Sequence, residues 1–259
     1  MDKILKEIEQ FEFAKISYQE VSKNYFNIIP GNIPILISAP HGARPHRNGN
    51  PRDVGEDEYT ASISVMLGKL TGAHVIYVKN ASLEDPNFYP GTLYKEAIKE
   101  IIAKHEIKFI ADIHGASNKN DFIVDVGIID DTNLDYCSCP NFKDIIEESF
   151  NEILALQNGK LFNIRFAGAG NPDRGIETVI RFAKDTCKID AAQFEIRSDY
   201  RILKQKPDAT MALKADKKEF PYDKEKVSKM IILLKEMIIK INQAVTNKNE
   251  QDIVEQHGC

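Results

Sequence analysis

The chain lacks several features that would each have fixed its class. No uninterrupted apolar run approaches the roughly 20 residues that a bilayer-spanning helix needs. The longest candidate, residues 230–241, is broken by Lys235, Glu236 and Lys240 and reads as an amphipathic surface helix. The Met-Asp-Lys start has no apolar core of the kind a signal peptide carries. Positive charge is not in excess: 34 Lys and Arg face 39 Asp and Glu, for a formal net charge of -5. That balance predicts neither a nucleic-acid partner nor an anionic membrane partner, since both need a concentrated basic surface. No Pro/Gly/Ser-rich linker and no repeat of fixed period divides the chain, so a single domain over residues 1–259 is expected. Cysteine is scarce, with four residues: Cys137, Cys139, Cys187 and Cys259. A cytoplasmic protein without structural disulfides is the resulting expectation. Cys137-Ser138-Cys139-Pro140 lacks the second thiol pair of a zinc ribbon and reads as an ordinary loop with reduced thiols.

What is present is an ordinary globular composition, 42% hydrophobic and 28% charged over 259 residues, enough for one substantial core. Short Ile/Val-rich runs alternate with longer segments whose apolar residues recur every three or four positions, the signature of an α/β domain with a central mixed, largely parallel sheet flanked by helices. The expected strands are residues 33–39, 73–79, 108–113, 122–129 and 191–196. Helices are expected over residues 57–70, 92–105, 141–156, 175–184 and 223–244. Alternation over residues 12–21 and 25–29 suggests an antiparallel hairpin within the first 30 residues, and the polar residues 246–259 suggest a frayed tail. The glycine-rich run from Ala167 to Gly175 suits a flexible loop over a site. Its spacing fits neither a dinucleotide fingerprint nor a P-loop.

In an open α/β sheet, ligands gather beyond the carboxyl ends of the strands. Three apolar runs end in polar residues there: Pro40-His41-Gly42, Asp112-Ile113-His114-Gly115 and Gln193-Phe194-Glu195-Ile196-Arg197. Two of only six histidines thus end strands as His-Gly, where glycine removes bulk and lets a metal and its substrate approach the backbone. His74, His105 and His257 lack this setting, and His46 is close enough to His41 in sequence to be a reserve ligand. Two imidazoles and one carboxylate make a hydrolytic zinc site that keeps a position open for water. The run Glu56-Asp57-Glu58 can supply the carboxylate, although acids at a helix start also serve as caps. It follows a loop crowded with Arg44, Arg47 and Arg52. Glu195 alternates with buried-looking Phe194 and Ile196, so it is exposed unless it lines a cleft.

These segments, with Asp57-Glu58-Tyr59-Thr60-Ala61-Ser62-Ile63, resemble the successive motifs of the N-formylglutamate amidohydrolase family, whose fold is related to the zinc carboxypeptidases. The resemblance runs from about Ile33 to Arg201. It implies that His41, Asp57 and His114 match the metal ligands, with Glu56 as the alternative to Asp57, and that Glu195 matches the general acid/base. The expected cofactor is one Zn²⁺ per chain. The implied activity is hydrolysis of an amide bond in a small, carboxylate-bearing N-acyl amino acid. A metallocarboxypeptidase, a peptidoglycan-type amidase and a non-catalytic metal- or ligand-binding member are the alternatives on the same fold. A carboxylate-bearing small molecule or short peptide needs cationic donors, for which arginine's fork suits best. Arg174 in the glycine-rich loop is the leading candidate, followed by Arg44, Arg197 and Arg201, with Arg52 also in reach.

Overall fold

Continuous runs of Ile, Val and Ala build the middle of a seven-stranded sheet in the computed structural model. It describes residues 1–47, 54–129, 142–154, 162–166, 170–171, 175–210 and 222–257. In chain order the strands are β1 (Ser17–Val21), β2 (Phe26–Ile29), β3 (Ile33–Ala39), β4 (Ala73–Val78), β5 (Asn80–Ala81), β6 (Phe109–Ala116), β7 (Val124–Ile128), β8 (Phe162–Phe166), β9 (Gly170–Asn171), β10 (Ile176–Glu177) and β11 (Asp190–Arg197). The helices are α1 (Asp2–Lys15), α2 (Thr60–Thr71), α3 (Leu93–His105), α4 (Phe142–Leu154), α5 (Val179–Phe182), which widens into a π-helical turn at Ala183–Cys187, and α6 (Lys224–His257).

The main sheet runs β2-β4-β3-β6-β11-β7-β8. Its four central strands, β4, β3, β6 and β11, are mutually parallel, while β2 and β7 join them antiparallel and β8 runs parallel to β7. All six residues of β4 are buried, as are all of β6 except Gly115. A parallel strand covered on both faces has no reason to alternate, which is why these runs are mostly apolar on both faces, broken only by His74 in β4 and by Asp112 and His114 in β6. Each fully buried Val, Leu, Ile or Phe contributes about 1.5–3 kcal/mol, and the core contains dozens of such side chains on both sides of the sheet. Helices α2 and α6 both pack on β3, and α4 packs on α6 and β8. The α/β architecture expected from the sequence is therefore the one observed.

Three local expectations are corrected. The N-terminal segment is not a hairpin: residues 2–15 form α1, whose buried Leu5, Ile8 and Glu12 fall at helical spacing. The strand begins only at Ser17 and pairs in parallel with β5, while β2 pairs antiparallel with β4 at the sheet edge. The final helix continues through residues 246–257, where a frayed tail was expected. The helix expected over residues 175–184 is confined to α5 and its π-helical turn, preceded by β10. Cys137 and Cys139 lie outside the described residues, as do Arg52, Arg174 and most of the glycine-rich loop.

Candidate metal centre

Strands β3, β6 and β11 are consecutive and parallel, so their carboxyl ends share one edge of the sheet. His41 follows β3 by two residues, while His114 and Glu195 are the sixth residues of β6 and β11. Glu195 pairs in register with His114, and Gln193 with Asp112, so these four side chains project from one face.

Asp57 reaches the histidines through a constrained turn. Its N–H donates to the His41 carbonyl (2.8 Å), and its own carbonyl accepts from the Thr60 N–H (3.1 Å) and hydroxyl (2.7 Å). Tyr59 then adopts a left-handed conformation (φ 69°) and α2 begins at Thr60, without any side-chain cap. The acidic run is therefore no capping device, and its three carboxylates separate. Asp57 faces the imidazoles. Glu56 turns away and accepts from both the N–H and the hydroxyl of Thr210. Glu58 is buried, with Oε2 making no hydrogen bond among the described residues.

Asp57 Oδ2 lies 3.4 Å from His41 Nδ1 and 3.2 Å from His114 Nδ1. The two rings meet edge-on with centroids 4.8 Å apart. One ligand atom from each of these three residues falls within 4.8 Å of the others, a grouping that could hold a metal ion. Each outer nitrogen is bound to a further carboxylate: His41 Nε2 to Asp85 Oδ1 at 2.8 Å and His114 Nε2 to Asp112 Oδ2 at 3.0 Å. A carboxylate on the far nitrogen fixes tautomer and ring orientation, as in metal sites generally.

Both supporting carboxylates are fully buried. Asp85 is well held: its Oδ1 also accepts from the Asn87 N–H (2.8 Å), its Oδ2 accepts from Arg47 Nε (2.7 Å), and its carbonyl accepts from the Phe88 and Tyr89 N–H groups. Asp112 is held on one side only, its Oδ1 lacking a hydrogen-bond partner among the described residues. Four carboxylates thus surround two imidazoles, with Arg47 the one arginine bonded directly to them among the described residues. The electrostatics follow. Burial works against protonation of His41, but the Asp85 charge and hydrogen bonds to Asp57 and Asp85 push it up to about 9. Asp112 and Asp57 hold His114 well above the usual histidine range, again against burial. Burial opposes ionisation of Asp57 as well, yet the two imidazoles keep it below the usual carboxylate range. Glu195 moves the other way, its carboxyl raised chiefly by burial and then by the Asp57 charge, partly offset by His114. Gln193 Nε2 donates to its Oε1 at 2.7 Å. The residues therefore suit a dication: two nitrogens and a carboxylate oxygen converge, on a strongly anionic background.

The structure disperses the remaining candidates. Arg197 forms a two-pronged ion pair with Asp199, 2.7 and 3.1 Å. Arg44 bonds the Thr210 hydroxyl and lies 3.9 Å from Glu56. Arg201 is buried beside the cluster, donating to the Ile196 and Glu58 carbonyls, with its guanidinium against Gly115. His46 is buried but outside the three-residue grouping, and the His74 and His105 rings meet at a tilt of 42° with centroids 4.2 Å apart. Asp85 was not anticipated from the sequence, although Asp85-Pro86-Asn87 has the composition of a turn in which an aspartate binds the N–H two residues on. For Asp112, position i−2 from His114 on a strand was sufficient signal.

No protein-family model and no curated protein matches the chain. Among solved structures it is similar to N-formylglutamate amidohydrolase from Ralstonia eutropha JMP134, with TM-score 0.55 and 13% identity over 86% of this chain and 99% of that one. It is similar to the same degree to a gene product of Agrobacterium tumefaciens, with TM-score 0.55 and 11% identity over 87% and 96% of the two chains. The likeness is one of fold.

Proposed function

We propose that this chain is a zinc-dependent amidohydrolase acting on a small N-acyl amino acid that carries a carboxylate, N-formylglutamate-like in character. The observation that supports this most is the convergence of His41 Nδ1, His114 Nδ1 and Asp57 Oδ2 with Asp85 and Asp112 behind the imidazoles. In this reading His41, Asp57 and His114 hold one Zn²⁺, and Glu56, committed to Thr210, is not a ligand. A bound Zn²⁺ supplies two services to amide hydrolysis, acidifying water and polarising the carbonyl. Glu195 takes a proton from the attacking water and returns it to the departing amine as the C–N bond breaks. Its raised pKa suits both halves of that exchange, and Gln193 on Oε1 leaves Oε2 for the transfer. Arg201, packed on the glycine that follows His114 and bonded to the Ile196 and Glu58 carbonyls rather than to a carboxylate, is the described arginine we assign to the substrate's negative charge. Arg197 and Arg44 are held by Asp199 and by Thr210 and Glu56. The fold shared with an N-formylglutamate amidohydrolase is compatible with this chemistry and does not by itself select it.

Elemental analysis paired with a turnover screen tests the reading. Protein purified without added metal should carry about one zinc per chain, lost in His41→Ala and His114→Ala. N-formylglutamate, other N-acyl amino acids and short γ-glutamyl peptides are the substrates to screen. Glu195→Gln should keep its zinc and lose on the order of 10²–10⁴-fold in turnover. A wild-type chain that takes up no metal, purified or reconstituted, overturns the proposal.

A further inference from the structure

Arg47 belongs to the arginine-rich segment after His41, yet it is not spent on solvent. Its Nε bonds Asp85 Oδ2 at 2.7 Å, and its guanidinium carbon lies 4.5 Å from the centre of the Phe88 ring. Asp85 in turn bonds His41 Nε2 at 2.8 Å. Phe88 belongs to the same turn, its N–H bonded to the Asp85 carbonyl. One arginine therefore grips both the carboxylate and the ring of a single short turn. Nothing equivalent supports the second arm, where Asp112 Oδ1 is buried without a hydrogen-bond partner among the described residues.

We infer that Arg47 is a positioning residue for the metal, acting through Asp85 to hold the His41 imidazole with Nδ1 toward Asp57. The inference rests on the metal reading above and adds to it a residue that touches neither ion nor substrate. Its bond to Oδ2 leaves Asp85 Oδ1 turned toward His41, where it accepts from Nε2–H. Its planar fork and its stacking on Phe88 fix the direction of that acceptance. Because the effect passes only through Asp85, Arg47 has no influence once Asp85 can no longer accept.

The test is a double-mutant cycle read as zinc affinity, by competition with a chromophoric chelator on the full chain. Asp85→Ala, which removes both acceptor oxygens, should weaken zinc binding about 10–100-fold, the loss typical of a histidine's supporting carboxylate. Arg47→Met, one bond further out, should weaken it by roughly three- to tenfold. The double variant should match Asp85→Ala to within about twofold, because coupled residues do not add. Should Arg47→Met fail to fold, Phe88→Leu removes the ring beneath the guanidinium while leaving every hydrogen-bonding group in place, and a loss of zinc affinity in the same direction is expected. Unchanged affinity in the variant that folds, or a double variant whose loss is the product of the single losses, overturns the inference while leaving the metal reading intact. A wild type that binds no zinc brings down both.

Discussion

At Gly115 an ideal Cβ would stand 2.6 Å from the Cζ, Nε and Nη2 of Arg201, and at Gly42 it would stand 2.4 Å from the Val78 carbonyl and 2.6 Å from Ala61 Cβ. The two glycines after the histidines are thus required by packing against the protein's own groups. Gly115→Ala must displace a guanidinium tied to the Ile196 and Glu58 carbonyls, and a cost of about 1–3 kcal/mol is expected, visible as a lowered melting temperature. Gly42→Ala, opposed by backbone, should cost more, and the reverse order would contradict this account. Glu58 yields a second prediction. Burial pushes its carboxyl up to about 7, with Arg201 pulling the other way and Glu56 and Glu12 adding to the rise. A carboxyl whose folded-state value is raised contributes stability below its unfolded value, and loses that contribution as pH rises through the folded one. Glu58→Gln should therefore leave stability near wild type at about pH 5 and raise it by about 1–3 kcal/mol at about pH 8. Denaturant unfolding at the two pH values reads this directly, and an equal difference at both would refute the burial argument.

Among the elements, the buried strands were the most legible. Residues 33–39, 109–113 and 191–196 are predominantly apolar without alternation because neighbours cover both faces, and they are interrupted only by Ser38, Asp112, Gln193 and Glu195 toward the carboxyl ends. Strand β8 was missed even though Phe162-Asn163-Ile164-Arg165-Phe166 alternates cleanly. Helix α1 was misread because Phe11 and Phe13 alternate with Glu12 locally, whereas Leu5, Ile8 and Glu12 carry the longer helical spacing that prevailed. Contacts between elements were not legible at all. Lys95 on α3 is fully buried and donates to the Tyr89 carbonyl (2.8 Å) and to the carbonyl and carboxylate (3.1 Å) of Glu177, tying the helix to β10 and to the turn that begins at Asp85. Lys95→Met leaves two part-buried carbonyls and the Glu177 carboxylate without their donor and should cost about 2–4 kcal/mol. Thr92→Ala removes only a cap to the Lys95 N–H and should cost about 1 kcal/mol. Urea midpoints for the two variants should fall in that order.

For the molecule as a whole, the histidines and Asp57 were readable because each stands near a strand end or a helix start, where the fold concentrates polar groups. Asp85 was not, because it lies 44 residues from His41 in sequence and meets it only through tertiary packing. That packing decides how the protein should respond to pH and metal together. Without metal, His41 titrates at about 9, raised above its ordinary value by Asp85 and Asp57. Its paired, protonated form therefore adds stability below about pH 6.5, and this contribution is lost as pH rises toward 9. Zinc requires the unprotonated imidazoles, so in our reading uptake must release protons from His41 and His114 and grow tighter as pH rises. The two states thus diverge: the metal-free protein loses stability with rising pH over an interval in which the increment that zinc adds grows. Zinc held at 100 times its dissociation constant stabilises by about 2.7 kcal/mol, and that increment should shrink as the pH falls and the constant rises at fixed zinc. The rise in melting temperature on adding a fixed zinc concentration should accordingly be small near about pH 6 and increase steadily to about pH 8.5. A rise that stays flat or declines across that interval would show that the imidazoles are not the groups that zinc must deprotonate.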